Sequence, residues 1–150
     1  MEVKNLFDPI VKQDIIDRIN KLTPESTALW GKMSVAQMLA HLQVPIGVAA
    51  GTHQVKRTFM GRLLGPMVKP IIYNKKPFKR NLPTDPSFVM IKATDKEFEK
   101  EKQKLLDVVN NFSERTIVNE VHPFFGKMSK EQWSIGTWKH LDHHLQQFGV

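Results

Sequence analysis

Three histidines stand where their side chains could share a ligand. His140 and His144 are four residues apart near the end of a helical pattern. Four residues advance a helix by about 400°, so both rings project from one flank. His41 stands on an earlier helical segment, also beside the apolar face rather than on it. Helices that pack together can face such flanks across a cleft. His41, His140 and His144 would then form a three-imidazole metal site with a coordination position open, the arrangement of catalytic rather than structural metals. Neutral imidazoles suit zinc, nickel or ferrous iron better than magnesium or calcium. The same i, i+4 spacing also arises by chance on polar helix faces, so spacing alone leaves both readings open. Gln37 and Gln147 are candidate hydrogen-bond partners for the ligands or for a water. Trp133 and Thr137 share the flank of His140 and His144 and are candidate substrate contacts. His143 points roughly 180° from the apolar stripe and is expected in solvent. Asp142 points away from the ligand flank and reads as a surface charge. His53 reads as an exposed loop residue, and His122, before Pro123, as part of a turn.

Other chemistry finds little support. There is no cysteine, which excludes thiolate metal sites and cysteine nucleophiles. No phosphate-binding glycine loop, nucleophile elbow or H-E-x-x-H motif occurs. No carboxylate general base is identifiable. A water or thiol activated by a metal would therefore have to act as the nucleophile.

Four helical segments must position these residues. The first runs from about Pro9 to Lys21, with Asp8 as N-cap and Ile10, Ile15, Ile16, Ile19 and Leu22 facing inward. The second follows Ser34, where Ser34 and Gln37 form a capping box. Its inner face is Val35, Leu39, Leu42, Ile46 and Ala49. Pro45 predicts a kink or early end, and Gly51 a stop. The third follows a Thr94–Glu97 capping box, with Phe98, Leu105, Leu106, Val109 and Phe112 inward and the Lys and Glu of 96–104 solvated. The fourth follows the Ser129–Gln132 capping box and runs to about Phe148, with Trp138, Leu141, Leu145 and Phe148 inward. Residues 52–93 form a long Gly- and Pro-bearing crossover with one or two short helices between Arg57 and Tyr73. No strand-like alternation persists. This predicts one all-α domain over 1–150, a four-helix bundle with a long crossover between helices 2 and 3. Gly31-Lys-Met-Ser-x-x-Gln37 recurs as Gly126-Lys-Met-Ser-x-x-Gln132. Either two helices need the same start, or a helix pair has been duplicated.

The 150 residues are 41% apolar and 25% charged, the balance of a globular domain. No apolar run could span a bilayer and no secretory signal is visible, so a cytoplasmic setting without a membrane partner is expected. The net charge of +7 is unevenly spread. No acidic residue lies between Glu25 and Asp85, a stretch holding nine Lys and Arg, mostly within 56–80. Two function classes follow. In one, Arg57, Arg62 and Lys69 draw an anionic small-molecule substrate to the histidine site. In the other, the protein is no enzyme, and segment 56–80 binds an acidic partner or nucleic acid. No nucleic-acid motif appears, so nucleic acid is not the expected partner.

His41 followed by His140-x-x-x-His144 resembles the DinB/YfiT-like superfamily of metalloenzymes. The tail His140-Leu-Asp-His143-His144-Leu-Gln-Gln147 is similar to its H-x-x-H-H-x-x-Q pattern. Residues 31–41 and 122–133 look closer still to an uncharacterised branch, a domain-of-unknown-function family. The resemblance implies a four-helix bundle, ligation of nickel or zinc by His41, His140 and His144, and a homodimer. It also implies thiol-dependent S-transfer, with bacillithiol or mycothiol in relatives, isomerisation with mycothiol, or metal-dependent hydrolysis. Lacking cysteine, the chain would need a low-molecular-weight thiol from outside. Leu145-Gln146 stands where the commoner pattern has Arg-Gly, which puts an anionic thiol cofactor in doubt.

Overall fold

Three of the four long helices begin where a side chain satisfies a free backbone N–H group. The computed structural model describes residues 1–57, 59–81 and 95–150, and among these it is mostly helical, with six helices. α1 spans Pro9–Asn20, and the Asp8 carboxylate accepts from the Ile10 N–H at 2.8 Å. α2 spans Val35–Ala49 and α6 spans Lys130–Gln147. Both open on complete capping boxes, Ser34 with Gln37 and Ser129 with Gln132. Gly31 and Gly126, three residues before each cap, both take positive φ, so the sequence echo marks the same glycine and capping box at two helix starts, although only Gly126–Lys127 forms a strand. α5 spans Phe98–Asn111 with Glu97 at its N-cap and no side-chain cap. It starts later than a Thr94 cap would place it, and residues 95–97 are not helical. Glu99 and Glu101 in the first turn favour this start through the helix dipole. Thr94 itself lies outside the described residues.

The crossover contains α3, Phe59–Val68, and α4, Pro70–Tyr73. Val121–His122 (β1) pairs antiparallel with Gly126–Lys127 (β2), with Val121 opposite Lys127. Strands of two residues are too short to show alternation in a sequence. His122 Nδ1 closes the hairpin by accepting from the N–H groups of Phe124 and Phe125 at 3.0 and 3.2 Å.

The four long helices close a ring: α1 packs on α5 and α6, and α2 packs on the same two. Ile15, Ile19, Met38, Leu39, Leu42, Leu105, Val109, Leu141 and Leu145 fill the space between them. α2 runs through Pro45 without ending early, because Ile46, Val48 and Ala49 stay buried beyond it. Ile10 does not join the core and is 82% exposed. It sits about 140° around α1 from Ile15, which is buried.

Polar burial departs most from expectation. α6 is covered on nearly every side, so residues expected at its surface lie inside. Asp142 is buried and paired with Arg18 of α1 at 2.8 Å, and Arg18 also donates to the Val150 carbonyl. Lys139 is fully buried, and its ammonium donates to the carbonyls of Ile71 and Asn74 and to Asn74 Oδ1, which ties α4 to α6. Burial lowers its pKa from the ordinary lysine value. Ser134 Oγ donates to Asn5 Oδ1 at 2.5 Å and accepts from the Phe7 N–H. On α5, Glu101 is buried too, receiving bonds from Gln43 and Lys104 instead of facing water.

Removing Arg18 would leave the Asp142 carboxylate enclosed and without its cation. Arg18→Ala should therefore cost about 3 kcal/mol in urea unfolding. A loss below roughly 1 kcal/mol, the range of a surface pair, would show that Asp142 is effectively solvated.

Candidate metal centre

His41 projects from α2 toward α6, one turn after Gln37, whose Oε1 accepts from the Ser34 N–H. His140 and His144 project back from consecutive turns of α6. The three rings form an equilateral set, with each pair of centroids 4.8 Å apart. The planes cross at 72° to 85°, so the rings stand edge to face. One ligand atom from each lies within 4.8 Å of the others, close enough to hold a metal ion. His41 Nε2 and His140 Nε2 are 2.9 Å apart. Two lone pairs cannot face each other at that distance, so a proton or a cation must lie between them. Tetrahedral zinc with bonds of 2.0–2.1 Å would set ligand nitrogens about 3.3 Å apart, near the His41–His140 spacing.

His144 has its tautomer set by a relay. Gln147 Nε2 donates to the Trp30 carbonyl at 2.6 Å, which leaves Gln147 Oε1, an acceptor only, 2.7 Å from His144 Nδ1. Nδ1 must therefore carry the proton and donate it. The lone pair is left on Nε2, where a metal would need it. Gly31 makes the relay possible. Its φ is +85°, and a Cβ there would collide with Gln147 Nε2.

The site favours neutral rings. Burial first, then the neighbouring His144 and His41, hold His140 well below the ordinary value of 6.5. Burial first, then His41, lower His144 to about 3, against the opposing bond to Gln147. Neutral imidazole is the form that ligates metal.

A family model for proteins of unknown function, DUF1569, matches residues 11–149, which includes all three histidines. The chain belongs to that family. No curated protein and no solved structure matches it. Within this DUF1569 chain the other residues named from the sequence fall in several places. Trp133 and Thr137 are buried on the stripe of α6 that carries His140 and His144. The Trp133 ring lies 5.1 Å from that of His122, and its indole N–H is buried without a hydrogen-bond partner among the described residues. His53 is exposed, as expected. Arg57, Arg62 and Lys69 line a separate cleft with Phe125 and Lys127, in which none of the three histidines takes part. Arg80 lies elsewhere, 4.2 Å over the Trp30 ring. The basic segment is thus divided and does not form one stripe.

His143 corrects the expectation of a solvent-facing ring. It is half-buried, with Trp30 and Phe78 edge-on at 5.8 and 5.9 Å and His144 at 5.1 Å. Those aromatics come from the loop before α2 and from the crossover, which a helical wheel of α6 cannot include. Burial is the first cause that lowers its pKa. Gly31 was not singled out from the sequence as a site residue. The glycine was visible only as part of the repeated helix start.

Gly31→Ala should displace Gln147, release the His144 tautomer and weaken zinc binding about 10- to 100-fold in a chelator competition. Unchanged affinity would remove the relay from the site. Acid should also weaken the metal-free protein. The unfolded imidazole titrates near 6.5 while folded His144 resists protonation to about 3. The stabilisation is complete above the unfolded value and is lost as pH falls through this window. Each such ring contributes a slope of up to about 1.4 kcal/mol per pH unit. Thermal melts at pH 7 and 5 should show the drop, and His144→Gln should flatten it.

Proposed function

We propose that this protein is a divalent-metal-dependent enzyme of the DinB/YfiT-like type, acting on a small molecule by thiol S-transfer or by hydrolysis. Its ring of four long helices is read as the superfamily's four-helix bundle, and its setting as a cytoplasmic homodimer. One observation carries the reading: three mutually adjacent imidazoles, one with its tautomer set so that Nε2 is free. An all-nitrogen donor set of this kind suits zinc, nickel or iron.

His41, His140 and His144 would hold the metal. It would supply Lewis acidity, which makes a water or a thiol a stronger nucleophile near neutral pH. The chain's own residues do the rest. Gln147 keeps the Nδ1 proton of His144 in place and orients the ring. The enclosed α2–α6 interface keeps His140 and His144 neutral. Trp133 offers an indole N–H donor on the ligand stripe, and Thr137 a hydroxyl between it and His140. These two are the proposed substrate contacts. No carboxylate base belongs to the reading.

Purified wild type loaded with zinc or nickel should retain about one ion per chain after desalting. His140→Ala/His144→Ala should retain almost none while keeping its helical circular dichroism. Equal, negligible metal in both would sink the proposal. With metal retained, a panel of low-molecular-weight thiols and a generic electrophile separates the chemistries. Metal-dependent conjugation supports S-transfer, and turnover with water alone supports hydrolysis.

A further inference from the structure

A cleft of about 590 Å³ opens between α3 and the β1–β2 hairpin. Its lining is Arg57, Arg62, Pro66, Lys69, Phe125, Gly126 and Lys127. Four of these seven residues are cationic and none is acidic. The four come from three places: the chain before α3, the α3–α4 helical run, and β2. They converge through folding and not through adjacency in sequence. Like charges brought together this way repel unless an anion lies among them.

Two details show that the convergence is built. The Lys69 ammonium donates to the Lys127 carbonyl, which clasps the α3–α4 corner to β2. Arg57 lays its guanidinium over Gly126, where a Cβ would stand 3.4 Å from Nη2. Arg57 Nε is buried there with no hydrogen-bond partner among the described residues. A buried guanidinium N–H without an acceptor is uncommon, and guanidinium groups pair readily with anion oxygens. The apolar part of the wall is Phe125 and Pro66, a surface for an organic body.

We propose that this cleft is a second ligand site, which binds a phosphorylated small molecule. The arginines would fork onto phosphate oxygens and the lysines would act as point charges on the same group. A nucleic acid would need its cations in an extended row, and Arg80 is instead committed to Trp30. The site stands apart from the histidine centre. Phe125 on the cleft wall lies 4.6 Å from His122, and His122 lies 5.1 Å from Trp133 of α6, both pairs with tilted rings.

Isothermal titration with inorganic pyrophosphate at low ionic strength tests this. Wild type should bind saturably, and Arg57→Gln/Arg62→Gln should weaken binding about tenfold or more. Lys75→Gln/Lys76→Gln, with the same change in net charge on exposed side chains, should leave it within about twofold. His140→Ala/His144→Ala should bind pyrophosphate as wild type does, so loss of the metal reading leaves this one standing. Should the arginine pair fail to fold, Lys69→Gln/Lys127→Gln must weaken binding to a similar degree. Equal weakening in both charge-matched pairs would reduce the effect to diffuse electrostatics and overturn the site. So would absence of saturable binding, or loss of binding in the histidine variant. Tighter binding of single-stranded RNA than of pyrophosphate, lost in the arginine variant, would replace the small-molecule ligand with nucleic acid.

Discussion

The structure turns on one constraint: α6 is buried on nearly every side, yet it is not an apolar helix. A polar group taken out of water must find a partner or cost free energy. Here each polar side of α6 is matched by a different segment. Ser134 meets Asn5 and the Phe7 backbone. Asp142 meets Arg18 on α1. Lys139 meets the carbonyls of Ile71 and Asn74. Gln147 meets the Trp30 carbonyl, and His140 meets His41 on α2. The helix is a hub, and its polar pairs specify the arrangement around it where apolar contact would allow several.

The candidate metal centre is one case of this matching. His140 and His144 share a small enclosed space with His41, where burial favours their neutral form. A carboxylate among them would reverse that preference by favouring protonated rings. The nearest by sequence, Asp142, is turned away and neutralised by Arg18. The same pair that stabilises α1 against α6 therefore keeps a negative charge away from the ligands. Fold and site are served by one interaction.

Much of this was legible in the residues. The capping boxes at Ser34 and Ser129, the cap at Asp8 and the stop at Gly51 are local, and local chemistry decides them. The convergence of His41 with His140 and His144 followed from helical spacing once two flanks were allowed to face each other. What was not legible came from packing with other segments. A helical wheel assigns one inner face and one outer face, and α6 has no outer face of any extent. Asp142 and His143 were therefore placed at the surface, Asp142 turning out to be buried and His143 half-buried. Glu101 on α5 followed the same logic. Gly31 was legible as a repeat and not as a site residue. Its role depends on a side chain from the far end of α6.

Being a hub also has a temporal side. α6 follows every other described element in chain order. While a ribosome is still making the earlier helices, Arg18 has no carboxylate, His41 has no facing imidazoles, and the α4 carbonyls have no ammonium. Helices α1, α2 and α5 can touch, but the ring stays open on one side. Domains generally settle as units during synthesis. For this chain the unit exists only once residues 130–147 have left the exit tunnel. Until then the open side presents the faces of α1 and α2 that α6 later covers.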